Sequence, residues 1–356
     1  MKLYAEIKEA CLASTVSLGA AFMSGREAST FFAVTGAASW TGVLAAAVIF
    51  GLMCGMLCRF ARDTGARSLP GIYYAKMDAR CGETASVVHF LLMLMMGAVA
   101  LTTAGELGLL SLSMPHPQAA AMISTLLLAV MLTLRKNIRG SMPGMVFVPV
   151  CLAFFCALAL DKRPAAAGAY LKSSALDVSG SIPVAIFMGT MFAFLKAAIS
   201  GGVIVQRCSE LVPLRFGICC GVVTALTTGC ANWALQAAGP EVWALNLPFV
   251  VLAARWGVVG YYISVYGMWL GCLAMLSAAL TAMSAVYPGW FGRTFAVILS
   301  AAAAALMSLT GLRTLTGAAY PLLGWVCAVF LGALGVFYER QKPLPGRSFP
   351  INKQVL

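Results

Sequence analysis

The sequence predicts an all-α polytopic membrane protein with about ten transmembrane helices, and three observations carry that prediction. Mean hydropathy is +0.90, with 61% of residues hydrophobic and only 10% charged. A soluble domain carries about a quarter charged residues, so this composition cannot build a water-facing surface. The apolar residues fall in blocks of roughly 18 to 26, each long enough to cross a hydrocarbon core of about 30 Å. Within lipid the backbone must satisfy its own hydrogen bonds, and no alternating strand-length segments of the barrel kind are present, so the blocks read as helices.

The spans fall at about 10–35, 38–58, 86–110, 117–134, 142–160, 183–205, 213–237, 257–286, 291–309 and 317–338. The first block follows Glu6, Lys8 and Glu9 and is too long for a signal-peptide core, so it reads as a retained span. Of the 24 Lys and Arg residues, 17 fall on the side of the N-terminus, five on the other side and two inside spans. That bias predicts both termini in the cytoplasm. The net charge of +12 then reports topology and contact with anionic lipid rather than a nucleic-acid partner. A short interfacial helix is expected around 72–77, and an interfacial or partly re-entrant piece on the outside at 240–257, with Trp243 and Trp256.

Span starts in the two halves differ by a nearly constant 171 to 175 residues. The chain therefore divides into a first five-helix repeat at 1–160, an extracytoplasmic link at 161–182, a second repeat at 183–338 and a cytoplasmic tail at 339–356. An odd number of spans per unit turns the second copy upside down, and inverted repeats of this kind place a binding site near the bilayer midplane.

Chemistry concentrates in the first span of each repeat. Gly19, Ala20, Ala21, Phe22, Met23, Ser24 and Gly25 run directly into Arg26 and Glu27. Small residues beside charges at mid-span suggest an interrupted helix, whose free amides and carbonyls can serve a ligand. The sixth span, with Gly189, Thr190, Phe192, Lys196, Ser200, Gly201 and Gly202, can break in the same way. The plainer use of both clusters is close helix packing. The acidic and basic residues away from the span ends are Arg26, Glu27, Glu106 and Lys196, and such residues face the bundle interior by default. Arg26, Glu27 and Glu106 are expected as an outer-leaflet charge network, with Arg26 pairing Glu106. Lys196 lies near the midplane, where a carboxylate, freed carbonyls or loss of its proton could offset its burial. Both carboxylates lie nearer the outer face by residue count, which disfavours the first of these. Ser277 and Thr281 share a face of the eighth span and could help hold a small cation, or could simply bond back to the preceding turn. The binding site is expected between the first, third, sixth and eighth spans: Gly19, Ala20, Ala21, Phe22, Ser24, Gly25, the stretch 97–100, Phe192, Lys196, Ser200, Ser277 and Thr281.

The 12 cysteines are scattered; Cys54 and Cys58 share a helix face and Cys219 adjoins Cys220, without histidines beside them. No metal site and no cofactor is expected, apart from a coupling Na⁺ or H⁺. HExxH, GxSxG and paired intramembrane aspartates are absent, so no enzyme is expected, and no Walker-type loop provides for ATP.

The stretch GAAFMSGREASTFF at 19–32 resembles the opening motif of the YkvI-like membrane proteins, often GAGFxSGQExxxFF. The likeness extends weakly through 97–106 and through Asn246, Leu247 and Pro248. That family sits in the amino acid–polyamine–organocation superfamily with the LeuT fold, which implies a LeuT-like five-plus-five inverted repeat with broken first and sixth helices in a bacterial plasma membrane. Ala21, Arg26 and Lys196 depart from the pattern, standing for a usual Gly, a usual Gln and a polar uncharged residue. The implied function is secondary active transport of a small organic solute, such as an amino acid or amine, Na⁺- or H⁺-coupled or uniporting. The alternative is a non-transporting sensor or assembly partner that retains the fold.

Overall fold

The structure, a computed structural model, describes residues 2–66, 68–135, 142–161, 180–207, 210–284, 286, 292–316 and 320–340. Most of the expected link, at 162–179, and of the tail, at 341–356, lies outside the described residues.

Among the described residues the regular structure is helical throughout. The chain opens with α1 (Lys2–Met23), α2 (Arg26–Phe31) and a 3-10 turn (Ala33–Ala38), followed by α3 (Ser39–Thr64) and α4 (Leu69–Lys76). Then come α5 (Ala79–Ser111), α6 (Pro117–Leu134), α7 (Met142–Leu160), α8 (Ile182–Arg207) and α9 (Pro213–Ala238). Short α10 (Pro240–Trp243) and α11 (Pro248–Ala253) lead through a 3-10 turn (Ala254–Trp256) to α12 (Gly257–Ser284). α13 (Arg293–Ser308), the short α14 (Leu312–Thr314) and α15 (Tyr320–Arg340) complete it.

Local chemistry sets many of the helix ends. Gly65 closes α3 in the left-handed region at φ 67°. Ser68 caps α4 by accepting from the Gly71 amide at 3.1 Å. Prolines open α6, α9, α10 and α11, where the missing amide hydrogen costs nothing. A short helix, α4, stands where the interfacial one is expected, and α10 and α11 occupy the expected Trp-flanked piece.

Among the described residues, six helical stretches are long and apolar enough to cross a bilayer: Ala33–Thr64, Ala79–Ser111, Pro117–Leu134, Ile182–Arg207, Pro213–Ala238 and Pro248–Ser284. Shorter apolar helices run over Phe147–Leu160, Arg293–Ser308 and Leu322–Phe337. Their exposed faces are oily. Leu44, Val48 and Leu52 form an outward stripe on α3, and Leu214, Ile218, Val222 and Leu226 form one on α9. The inward face of α9 carries Thr224, Thr227, Thr228 and Asn232, all buried. Apolar side chains outward and hydroxyls inward is the arrangement expected when the solvent is lipid.

Helices approach closely where side chains vanish. A Cβ on Gly189 of α8 would lie 2.0 Å from the Gly42 carbonyl oxygen of α3. On the other side of α3, a Cβ on Gly51 would lie 2.7 Å from the Gly217 oxygen of α9. α3 is thereby wedged between α8 and α9, with backbones nearly touching.

The first span breaks where expected. Gly19 leaves helical geometry at φ 50°, ψ −176°, and Gly25 sits at φ 88° between α1 and α2. The sixth does not: α8 runs unbroken from Ile182 to Arg207, which corrects the expectation of a broken sixth helix. Its small residues serve packing instead. Gly189 admits α3, a Cβ on Gly201 would meet Leu69 at 2.8 Å, and the Ser200 hydroxyl donates back to the Lys196 carbonyl at 2.8 Å. No backbone group in that stretch needs a ligand.

Candidate functional site: a buried ion pair at the interrupted first span

The interruption in α1 is satisfied from within and from the segment 240–256, which holds α10 and α11 and lies over it as a lid. The Gly25 amide donates to the Phe22 carbonyl at 2.9 Å, and the Ser24 hydroxyl donates to the Ala21 carbonyl at 2.7 Å. The Arg26 amide donates to the Ser24 hydroxyl at 3.1 Å. From α11, the Phe249 amide donates to the Ser24 carbonyl at 3.2 Å. A Cβ on Gly25 would meet Pro248 at 3.0 Å, so the α11 segment lies directly on the break. Ala21, Phe22 and Ser24 are buried there, while the Ala20 side chain lies outside the described ones.

Directly after the break, Glu27 meets Lys196. The Lys196 ammonium (Nζ) lies 2.5 Å from Glu27 Oε2, and the two side chains are 1% and 0% exposed. Lys196 stands near the middle of α8, eleven residues or about 16 Å from its nearer end, too deep for the stem to reach an interface. Its offset is therefore a carboxylate. This corrects the expectation that Glu27 belongs to an outer-leaflet network. The helix break places Glu27 beside mid-α8, where a residue count along an unbroken span puts it further out.

Aromatic rings stand beside the pair. Phe192, one turn before Lys196, has its ring centroid 5.2 Å from the ammonium, close enough for a cation–π contact. Phe22, Phe31 and Phe32 pack on Phe192 at centroid distances of 6.0, 5.4 and 5.0 Å. Phe155 of α7 links Phe22, at 6.0 Å, to Phe249 of α11, at 4.8 Å. The result is a buried aromatic cluster beside one charge pair. Low polarizability around the pair strengthens their attraction and makes either charge costly alone.

Arg26 does something else. Its Nη1 donates to the carbonyls of Trp243, Ala244 and Leu245 at 3.3 to 3.4 Å, tying α2 to the segment between α10 and α11. Glu106 is half-buried on α5, and no ion pair joins it to Arg26 among the described residues, which corrects the expected pairing. A guanidinium has five donors in a flat fork, and one of its nitrogens here reaches three backbone carbonyls of a single turn. The same lid is tied to the end of α7, where Trp256 Nε1 donates to Asp161 Oδ2 at 2.8 Å and Arg255 donates to the Asp161 carbonyl at 3.2 Å.

The eighth-span hydroxyls are not at the pair. Ser277 donates to the Leu273 carbonyl, and its own carbonyl faces Thr133 of α6. Thr281 is exposed and donates to the Ser277 carbonyl. The α12 residue beside the break is Met275, whose sulfur lies 2.4 Å from where a Gly19 Cβ would stand. Periodicity explains the miss: on α12 the inward face is Cys272, Met275, Leu276, Ala279 and Leu280, so 277 and 281 point away. Gly97 likewise faces Ala304 and Leu276.

Sequence reasoning also missed a polar clasp on α9. Asn232 donates to the Ser39 hydroxyl at 2.9 Å, and Gln236 donates to the Ala33 and Gly36 carbonyls at 3.1 Å. Two amides one turn apart, continuing the polar face of Thr224, Thr227 and Thr228, were the available signal. Phe31 and Phe32 stand within the opening motif, but Phe155 and Phe249 carry no local signal. No cluster of three His, Cys, Asp or Glu side chains able to hold a metal ion occurs among the described residues.

The fold is similar to that of a manganese transporter from Eremococcus coleocola. A mutant form of that protein aligns over 94% of this chain and 86% of its own, with a TM-score of 0.52 at 14% identity. Its complex with an aromatic bis-isothiourea substituted compound gives 0.51, also at 14% identity, over the same shares. No protein-family model and no curated protein matches the chain. At such identity the likeness speaks to the fold alone: this chain is an all-α, multi-pass membrane protein built on the same architecture as that transporter.

Proposed function

We propose that this protein is a secondary active transporter of a small organic solute, such as an amino acid or amine, working by alternating access in a bacterial plasma membrane. The observation that carries the reading is the Glu27–Lys196 pair, fully buried beside an interrupted helix. Two opposite charges at mid-membrane are an expensive way to hold helices together, and such groups typically mark a solute or ion path. Moving α2 against α8 separates the pair, and a polar solute entering there can replace the lost partner of each charge. In this reading the chain has ten spans in two inverted five-helix repeats with the LeuT fold, both termini are cytoplasmic, and the protein is not an enzyme. Lys196 acts as a resident cation, so transport needs no Na⁺, and a proton relayed through the pair is the alternative drive.

The test is uptake by the full-length protein in liposomes. A panel of amino acids and amines is offered with and without Na⁺, and with Mn²⁺ as a separate arm because the similar structures belong to a manganese transporter. Concentrative uptake of an organic solute, lost in Lys196→Met while the protein still folds, supports the reading. Uptake of Mn²⁺ alone overturns it. Tight solute binding without flux points instead to a sensor that keeps the fold.

A further inference from the structure

Most of the thiols are inaccessible. Cys54 and Cys220 are fully buried, and Cys151 is buried with its thiol donating to Met23 Sδ at 3.5 Å. One pair differs. Cys156 on α7 and Cys230 on α9 hold their sulfurs 3.5 Å apart, and both side chains are partly exposed. α7 and α9 are packed side by side, so the sulfurs need only a small side-chain adjustment to reach a bond of about 2.05 Å. Their position matters as much as their distance. Cys156 lies four residues before the end of α7, the end at which Asp161 is tied to Arg255 and Trp256. Its neighbour Phe155 carries the aromatic contacts to Phe22 and Phe249. Cys230 lies half a turn before Asn232, which clasps Ser39 at the start of α3.

We propose that Cys156 and Cys230 are a disulfide-forming pair, closed by a peroxide, whose oxidation locks α7 onto α9 at the lid end of the site. One thiol reacts with hydrogen peroxide to give a sulfenic acid and water. The second thiol displaces hydroxide from that sulfur, forming the S–S bond and a second water. Two protons and two electrons leave the thiols, and the peroxide takes both. Peroxide is small and uncharged, so it enters lipid and reaches partly exposed sulfurs there. The bond ties the helix carrying Phe155 to the helix holding the segment after Glu27, and so braces both sides of the ion pair. Arrest of a transport cycle by this brace rests on the proposed function; formation of the bond does not.

The experiment uses the full-length protein in native membranes, treated with hydrogen peroxide, blocked with maleimide, digested and analysed by mass spectrometry. The expected result is loss of maleimide labelling at both positions and appearance of a peptide pair joined through residues 156 and 230. Dithiothreitol restores both thiols. Cys156→Ser, Cys230→Ser and Cys230→Ala each lose the joined peptide, so one poorly folding variant leaves two controls. Hydrogen exchange then reads the brace: amides of α7 and α2 slow in oxidised wild type and stay unchanged in peroxide-treated Cys156→Ser. Unjoined peptides after treatment, or joining through other cysteines, overturn the pair. A joined peptide with unchanged exchange overturns the lock. Both readouts are chemical, so either failure leaves the transport reading standing on its own test.

Discussion

Removing one member of the buried pair should cost far more than removing both. The Lys196 ammonium and the Glu27 carboxylate stand 2.5 Å apart, at 1% and 0% exposure. At an effective dielectric near 20 their attraction is about 7 kcal/mol. Desolvation costs several kcal/mol per ion, so the pair as a whole adds little net stability. Lys196→Met leaves Glu27 charged or forced to take a proton beside an aromatic cluster, and Glu27→Gln strands the ammonium. Each single change should destabilise by about 3–5 kcal/mol, the usual loss when one partner of a buried pair is removed. The double variant, Lys196→Met with Glu27→Gln, should recover most of that loss. The assay is a double-mutant cycle, read by reversible unfolding of the purified protein in mixed micelles. A coupling energy of roughly 2 kcal/mol or more is expected, well above the few tenths seen between independent sites. Additive losses within about 0.5 kcal/mol would refute the ion pair as the feature that organises this site.

Other perturbations probe the surroundings. Arg26→Ala removes three carbonyl contacts to residues 243–245; hydrogen exchange across α10 and α11 should rise, and unchanged exchange would show that Arg26 does not hold the lid. Gly19→Ala should destabilise by about 1–3 kcal/mol, since its backbone geometry is open only to glycine and the added carbon meets Met275. Gly202→Ala, with nothing within 4 Å, is the matched control in α8, and equal losses in the two variants would count against a strained break. Reporter fusions at Lys162 and Leu356 should give opposite signals if the Lys and Arg bias sets the topology, and matching signals would remove the ten-span arrangement.

Span positions were legible because each depends only on a local run of apolar residues. The expected spans 117–134 and 142–160 coincide with α6 and α7, and the break in the first span was marked by two glycines, a serine and two charges in nine residues. The same composition misled in the sixth span. Glycine serves both an irregular backbone and a close approach, and which use applies at Gly189 depends on Gly42, a residue 147 positions away on another helix. Ser277 and Thr281 share a face, but which face of α12 meets α1 is set by packing.

The sequence by itself determined that this chain is a multi-pass membrane protein, where its apolar runs lie, and that Arg26, Glu27, Glu106 and Lys196 stand well inside them. Only the tertiary structure decided which of these meet. Depth along an unbroken helix can be counted at 1.5 Å per residue, but a break at Gly19 and Gly25 redirects the chain, and the count ends there. Glu27 therefore reaches the middle of α8 across 169 positions of sequence, and Arg26 turns the other way to carbonyls of the lid. Charge identity is a local property, whereas a charge's partner depends on the crossing of two helices.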